Sequence, residues 1–352
     1  MTRRFALDER LKHALIALAI ALAAGVVTFL RPADITAWAI QARLFEREAS
    51  GDLVFVRMPS VTENASVINR NVLSTVEHLR AAGAERIFVN MPLQRSDSPT
   101  TDMRLRALIG NNRDGIFLTD SFEQDYKDSD RIPQTDAYFT KGARVYASDY
   151  DADFLQFVWG FDKSEEPEKD GGLVPLSFAL AGTGPSRDTV FIDYTISADS
   201  IPTIAADSIE ADLSRLGSTS KTFVLGTDSF GANIRAPGAD TVSPTLIHIL
   251  AAETLIRGNG QGSPWFAITL VMGIALALGV RCVHTKTHRR VFYVAWCSLG
   301  LALFVVTAYL GIKAFFADGL LLAMSYAISR AIARYRRRHL AIDPLTRLPN
   351  FA

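Results

Sequence analysis

Four apolar stretches constrain this chain more than any other feature of its sequence. They lie at residues 13–30, 264–281, 291–310 and 314–333. A helix needs about 20 mostly apolar residues to cross the hydrocarbon core of a bilayer, and inside lipid it must satisfy its own backbone hydrogen bonds. The sequence therefore predicts one N-terminal and three C-terminal transmembrane helices.

The first stretch has a second interpretation as a cleaved signal peptide, with Arg3, Arg4, Arg10 and Lys12 as its basic region. No A-x-A cleavage pattern follows it, and the next segment is amphipathic. The residues after Arg3-Arg4 also fit a twin-arginine export signal poorly. We interpret residues 13–30 as an uncleaved anchor.

Basic residues indicate the direction of the four helices. Short loops rich in Lys and Arg stay in the cytoplasm, and the segments 1–12, 282–290 and 334–342 all carry or adjoin such clusters. Residues 31–263 contain 33 acidic and 22 basic residues, whereas the remainder contains 4 and 15. This pattern predicts cytoplasmic termini and an acidic extracytoplasmic domain at 31–263, in a multi-pass membrane protein.

Alternating strand and helix patterns in the acidic section predict an α/β domain with a mixed, partly parallel sheet. A hairpin is expected from Val145–Ala147 to Phe154–Trp159, and Thr100 or Thr101 is expected to cap a helix. Cys282 and Cys297 are the only cysteines, so no disulfide is expected in this domain. The predicted strands are 53–56, 86–91, 115–119, 189–194 and 222–225, and the predicted helices are 32–49, 64–82, 173–181, 208–216 and 241–257.

Acidic residues give the first candidate sites. Asp149, Asp151 and Asp153 alternate as in a calcium loop, but Phe154 and Gly160 stand where an EF-hand requires Gly and Glu, so we interpret the run as an acidic turn. Crevices at the carboxyl ends of strands often bind ligands, but Asp is also common in ordinary turns. Three further acids fall at predicted strand ends or in loops, Asp193, Asp228 and Asp240.

Histidines and one sequon give the remaining candidates. His248 lies in an apolar helix and is interpreted as a packed side chain. His284 and His288 have a spacing that suits a metal but no third ligand nearby, so we interpret them as membrane-edge polar residues. Asn64-Ala65-Ser66 fits the glycosylation triplet, which is common by chance. No P-loop, nucleophile elbow or metal-hydrolase motif occurs, so we assign no catalytic, cofactor or metal residue, and no basic aromatic face suggests nucleic acid.

The order of anchor, α/β domain and three clustered helices resembles the CHASE type-two sensory domains of bacterial receptors, over about residues 31–333. Gly83–Val89 is similar to that family's G-A-x-x-I step, and Asp151-Ala152-Asp153 to its D-x-D-G hairpin, with Phe154 in place of Gly. Phe223–Gly226 with Asp228 is similar to its late strand. Ser243–His248 is similar to the start of its last helix, with Ile249 where Ala is usual.

The tail carries a second resemblance. Asp343-Pro344-Leu345-Thr346-Arg347-Leu348-Pro349-Asn350 resembles the opening of a GGDEF domain, the diguanylate cyclase module, with Arg347 in place of Gly and Phe351 in place of Arg. We therefore expect residues 343–352 to begin a truncated GGDEF domain. Its metal-binding and guanine-binding residues would follow Ala352, so this chain lacks catalytic residues of its own.

The two resemblances imply a homodimeric receptor of the bacterial inner membrane, with residues 31–263 in the periplasm. It would detect an unknown periplasmic ligand and regulate cyclic di-GMP output. Mg²⁺ and GTP are implied for the cyclase domain that would follow Ala352. The resemblance also allows a phosphodiesterase domain beyond it. One alternative is a transporter or channel subunit, but Asp318 is the main ionisable residue within its apolar stretches. Another is an anchored hydrolase, for which the sequence offers no nucleophile–base pair.

Overall fold

The computed structural model divides the chain into two compact units. The helical unit comprises Met1–Trp38 and Gly262–Ala352, and the α/β unit comprises Ala39–Gln261. The residues that the structure describes are 2–27, 30–59, 64–120, 122–124, 131–148, 151–152, 158–162, 173–184, 189–216, 221–227, 234–237, 239–260, 262–282 and 285–340.

The described residues form helices at both ends of the chain and alternating helices and strands between them. The α-helices are α1 (Thr2–Val26), α2 (Arg31–Leu44), α3 (Ala65–Ala81), α4 (Pro99–Asn111), α5 (Ala137–Thr140), α6 (Leu176–Ala181), α7 (Ile209–Leu216), α8 (Pro244–Ile256), α9 (Ala267–Cys282), α10 (Lys286–Tyr309) and α11 (Ala317–Leu340). The strands are β1 (Leu53–Arg57), β2 (Arg86–Val89), β3 (Ile116–Asp120), β4 (Phe122–Gln124), β5 (Arg131–Pro133), β6 (Arg144–Ala147), β7 (Asp151–Ala152), β8 (Val158–Asp162), β9 (Thr189–Phe191), β10 (Thr203–Ala205), β11 (Thr222–Gly226), β12 (Ile234–Ala236) and β13 (Ala239–Val242). Two short 3₁₀ turns cover Ala198–Ser200 and Ala206–Ser208.

A six-stranded sheet in the order β10-β1-β11-β2-β3-β6 forms the centre of the α/β unit, and all its neighbouring strands are parallel. Phe55 of β1 lies opposite Val224 of β11. Because side chains alternate across a strand, Val54 and Val56 enter the core on one face while Leu53 and Phe55 enter it on the other. Both faces are thus buried, as is usual for parallel sheets.

Helices cover the two faces of this sheet. On one face α3, α4 and α7 pack through Val76, Leu105 and Ile209. On the other face α6 and α8 pack through Leu176 and Leu250. The result is a three-layered arrangement that confirms the predicted α/β class, with the parallel component larger than expected.

The predicted hairpin is wrong in its pairing. Val145–Ala147 belongs to β6, which pairs in parallel with β3 at the edge of the large sheet. The aromatic ring of Tyr146 lies 5.8 Å from the ring of Phe117, so burial against the sheet decides the position of this strand. The antiparallel partner of β8 is instead β7, which begins at Asp151, and β9 follows on the other side.

Two local expectations also need correction. The N-cap of α4 is Ser98, one position before Pro99, rather than Thr100 or Thr101. Proline fits the first position of a helix because its missing N–H has no partner there. No strand or helix was predicted between residues 121 and 141, whose described part contains β4, β5 and α5.

Small residues form the packing face of α1 in the helical unit. Ala14, Ala17 and Ala21 form the buried stripe of α1, in one cluster with residues of α9, α10 and α11. Gly273 of α9 lies against the side chain of Leu18. Alanine and glycine let helix backbones approach closely, which is typical of helices that associate in lipid.

Within the described residues, one helix, α10, is long and apolar enough by itself to cross a membrane. The segments Glu9–Val26 and Arg31–Leu44 meet the same requirement only when counted as one interrupted stretch. Helix α9 is apolar but has only 16 residues. Helix α11 carries Asp318 in its first turn and Arg330 and Arg334 further along. Length and composition therefore support one span, and the other three stay predictions.

The ends of these helices differ from the predicted limits. Helix α10 begins at Lys286, because Thr285 accepts a hydrogen bond from the His288 N–H and caps it. Helix α11 begins at Ala317, three residues after the predicted start at 314. The tail at 343–352 lies outside the described residues, as does His284.

Candidate functional site

The carboxyl ends of the parallel strands are the first place to look for a site, since ligands often bind there in open α/β sheets. Asn90 follows β2 directly. Its Nδ2 donates to Thr245 Oγ1 at 3.0 Å, and its Oδ1 accepts a hydrogen bond from Thr119 Oγ1 at 2.8 Å. This amide therefore joins two strand ends to the start of α8.

The beginning of α8 sits closely on the end of β11. Ser243 accepts a hydrogen bond from the Leu246 N–H, and Pro244 occupies the first helical position. A Cβ at Gly226 would lie only 2.7 Å from Thr245 Cβ, so any side chain at position 226 would overlap this residue. Glycine at the end of β11 is thus required by the approach of the helix.

His248 lies one turn further along α8 and is fully buried. Its Nε2 is 2.9 Å from the Ser148 carbonyl, and the Ser148 N–H in turn donates to the Asp120 carbonyl. Burial lowers the pKa of His248 to about 4, although the bond to Ser148 acts in the opposite direction. The imidazole is therefore neutral near pH 7 and donates from Nε2, which agrees with its interpretation as a packed side chain.

Asp120 and Thr227 are two further polar residues at this edge of the sheet. Asp120 Oδ1 accepts a hydrogen bond from the Thr135 N–H at 3.0 Å, which joins the segment before α5 to the end of β3. Thr227 follows β11 and is buried, yet its hydroxyl makes no hydrogen bond to the part of the chain that the structure describes. Burying a hydroxyl without a hydrogen-bond partner costs roughly 1–3 kcal/mol of folding free energy, so Thr227 is an energetically unfavourable residue at this edge.

A groove of about 570 Å³ opens between α3 and α7, near the points where the chain leaves β1 and β10. Its volume lies in the range of small-molecule sites. His78 Nε2 is 3.3 Å from Glu210 Oε1 across the groove, and His78 Nδ1 is 2.6 Å from the Ser74 carbonyl. The polar residues that line it are Asn71, Ser74, Thr75, His78, Asp207, Ser208 and Glu210.

This groove brings hydrogen-bond donors and acceptors together on α3 and α7. The hydroxyls and the amide on α3 can donate or accept, and the acids around α7 can only accept when ionised. We therefore take the α3–α7 groove as the candidate ligand site. Sequence reasoning missed it, since its two sides lie more than 100 residues apart in the chain.

The acidic candidates have different positions. The Asp193 carboxylate accepts hydrogen bonds from the N–H and the hydroxyl of Thr195 and from Asn259 Nδ2, so it fixes a loop. Asp151 lies in β7, and Asp240 falls within β13. Asp149, Asp153 and Asp228 lie outside the described residues. Where the structure describes the chain, no three His, Cys, Asp or Glu side chains gather as a metal site.

The asparagine of the sequon and His288 each lie at the start of a helix. Asn64 caps α3 by accepting a hydrogen bond from the Ser66 N–H at 2.9 Å. His288 lies in the first turn of α10.

Glu253 is a buried polar residue that sequence reasoning missed. It lies in α8 and is fully buried, and its carboxylate accepts from the Ser50 N–H at 2.8 Å and from the Ser50 hydroxyl at 2.7 Å. The contact fixes the segment before β1 to the last helix of the unit. A glutamate within the apolar run of α8 was the available signal.

Comparison with protein-family models, curated proteins and solved structures found no match for this chain.

Proposed function

We propose that this protein is a membrane-anchored receptor whose α/β unit detects an extracytoplasmic cue. The observation that carries the proposal is the exposed apolar surface of α10, of whose apolar window only 17% is buried. Leu301 and Val294 are 66% and 67% exposed. Contiguous apolar surface of this kind marks a membrane or a protein interface.

The remaining helices of the unit support a bilayer as the covering environment. Leu15 and Ile16 of α1, Ile274 and Leu278 of α9, and Ile328 of α11 are also exposed. The buried face of α1 consists of alanines, whereas α9 and α11 bury Leu276 and Leu322, and each of these helices also exposes large aliphatic side chains. We therefore propose that α1, α9, α10 and α11 all cross the membrane.

The direction of insertion follows from the basic clusters. Residues 3–12, 281–290 and 334–338 would face the cytoplasm, which leaves the acidic α/β unit in the periplasm. The cue would then be a small polar molecule bound in the α3–α7 groove. Binding can shift the output only if the ligand has different affinities for the two signalling arrangements.

The proposed output is a cyclic di-GMP enzyme. It rests on the resemblance of residues 343–350 to the start of a GGDEF domain and of residues 31–333 to CHASE-type sensors. Diguanylate cyclases join two GTP molecules held by two subunits with Mg²⁺, so the proposal includes a homodimer. Pro344 cannot continue a helix without cost, so the connection from α11 should end at Asp343.

A transport function fits the structure less well. Ionisable residues on a transport path usually lie within the bilayer. Asp318 lies at one end of the proposed span at residues 314–333 and Arg330 lies at the other, so neither is in its middle.

A fusion experiment tests the receptor function. An intact GGDEF domain is joined after Asn350, and cyclic di-GMP is measured in cells with periplasmic extract added or withheld. We expect His78→Ala and Glu210→Ala to change the response to extract, whereas Arg104→Ala, on an exposed ion pair with Glu77, leaves it intact. Unchanged output after deletion of residues 51–262, under all conditions, would reject the proposal.

A further inference from the structure

A second cleft, of about 200 Å³, lies within the helical unit. It is formed where α1 ends, α2 begins and α11 begins. Its lining combines two carboxylates, one guanidinium and two aromatic rings, from Asp34, Asp318, Arg31, Trp265 and Phe315.

The two carboxylates of this cleft differ in their partners. Asp34 Oδ1 accepts hydrogen bonds from the N–H groups of Phe316 and Ala317, at 2.7 and 2.9 Å, and so caps α11 from another helix. Asp318 is only 5% exposed, and its carboxylate accepts no hydrogen bond from the described residues. The Arg31 guanidinium attracts this carboxylate and the Asp34 carboxylate repels it, so a hydrogen-bond donor from outside the chain would stabilise Asp318 further.

Glycine at position 25 of α1 leaves room for the Asp318 carboxylate. A Cβ at Gly25 would lie 2.5 Å from Asp318 Oδ2 and 2.5 Å from Trp265 Cζ3. A residue larger than glycine would therefore enter the cleft and press on both groups.

The side chains that line the cleft indicate which kind of positively charged group would bind there. Calcium and similar hard cations need six or more oxygen ligands, and the described lining of the cleft offers two carboxylate side chains beside a guanidinium and carbon-lined walls. A primary ammonium group needs three acceptors at most, and it is also attracted to the faces of aromatic rings. The cleft therefore suits an organic ammonium group better than a metal ion.

The position of the cleft indicates the molecule that carries this group. Asp318 is about 24 Å along α11 from Arg334, and Gly25 is about 20 Å along α1 from Lys12, at 1.5 Å per residue. The hydrocarbon core is about 30 Å thick, so a cleft at this distance from the basic ends lies near the headgroups of the opposite leaflet. Trp38, whose Nε1 donates to the Ala314 carbonyl, is an aromatic residue typical of that depth.

We propose that the cleft formed by Gly25, Arg31, Asp34, Trp265 and Asp318 binds the primary ammonium group of a phospholipid headgroup. The ammonium donates to the Asp318 carboxylate and to Oδ2 of Asp34, and the headgroup phosphate lies on the side of Arg31. This inference rests on the proposed placement of α1 and α11 in the bilayer, and it adds a lipid site that the receptor function does not require.

Native mass spectrometry of the whole chain tests the proposal. The protein is released from bilayer discs that contain equal amounts of ethanolamine and choline phospholipids with the same acyl chains. Choline has no N–H to donate, so we expect the ethanolamine lipid to be retained about tenfold more, which corresponds to one charge-assisted hydrogen bond. Equal retention of the two lipids by the unaltered chain would overturn the proposal.

Two variants sharpen the test. Asp318→Asn keeps the volume of the side chain and removes its charge, so the headgroup preference should disappear, whereas Glu9→Gln removes a carboxylate near the other end of α1 and should keep it. Persistence of the preference in Asp318→Asn would contradict the assignment. Excess soluble phosphoethanolamine should compete with the lipid for the unaltered chain, and this measurement serves even if a variant fails to fold. A preference without competition would place the selective contact elsewhere.

Discussion

The α/β unit and the helical unit differ in how much large apolar surface they leave exposed. The α/β unit buries its large aliphatic and aromatic side chains, such as Phe55, Phe88 and Leu79, and turns smaller or polar residues outward. The helical unit buries Ala17 and Ala21 in α1 and exposes large aliphatic residues. The comparison teaches that burial of large apolar groups from water organises the first unit, whereas the second keeps many large aliphatic side chains on its outside and packs α1 closely through its alanines.

The largest expected difference between the units comes from the same substitution in each. Leu79→Ala removes a fully buried side chain of α3 and should lower the free energy of unfolding of the α/β unit by about 2–5 kcal/mol. Leu301→Ala, on the exposed face of α10, should change the stability of the protein in lipid by less than about 1 kcal/mol. Urea unfolding followed by circular dichroism in bilayer discs measures both. Similar losses for the two variants would break the comparison.

The pH dependence of the α/β unit should show the neutral state of His248. Burial holds its pKa at about 4 in the folded state, against about 6.5 when unfolded, so the unfolded chain binds a proton first as the pH falls. The full contribution of neutral His248 to the free energy of unfolding is present above pH 6.5. About 3 kcal/mol of it is lost as the pH falls to about 4.

His248→Gln provides the check, since it removes the titrating group but retains a side-chain amide donor. The difference in unfolding free energy between the two proteins should shrink as the pH is lowered from 7 to 4. A difference that stays constant with pH would show that His248 is not held neutral.

Two glycines of the α/β unit should respond in opposite directions to alanine. Gly226→Ala places a methyl group against Thr245 and should destabilise the unit by about 1–3 kcal/mol. Gly110→Ala, in α4 with no atom within 4 Å of the added Cβ, should stabilise it by roughly 0.5 kcal/mol. Thermal unfolding distinguishes the two, and a neutral Gly226→Ala would mean that α8 does not sit tightly on β11.

The smallest effect on stability is expected in the α3–α7 groove. His78 and Glu210 make an exposed polar contact, which contributes no more than about 0.5 kcal/mol, so Glu210→Gln should leave the unfolding curve nearly unchanged. A change in ligand response without a change in stability is the pattern of a binding residue. A large loss of stability would instead assign the pair to the fold.

Local patterns were enough to predict most strands of the central sheet. Leu53–Val56 and Thr222–Leu225 are continuous apolar runs of the length of buried strands, and both lie inside β1 and β11. Val145–Ala147 has the same character, and its pattern does not say which strand it joins. Its place beside β3 depends on the tertiary contact of Tyr146 with Phe117.

The sites could be predicted much less well, because they join distant parts of the chain. Ser50 meets Glu253, and Asp34 caps a helix that starts at Ala317. Neither pair leaves a signal at a fixed spacing. Asp318 was recognisable as an ionisable residue at the edge of an apolar stretch, but its neighbours in the cleft were not.

The orientation of the acidic unit is tested most directly with reporters. A phosphatase that is active only outside the cytoplasm is inserted after Glu165, and the same enzyme is placed after Asn350 as the matched control. The proposed receptor predicts high activity at position 165 and none at position 350. Activity confined to position 350, with a cytoplasmic fluorescent reporter maturing at position 165, would contradict it.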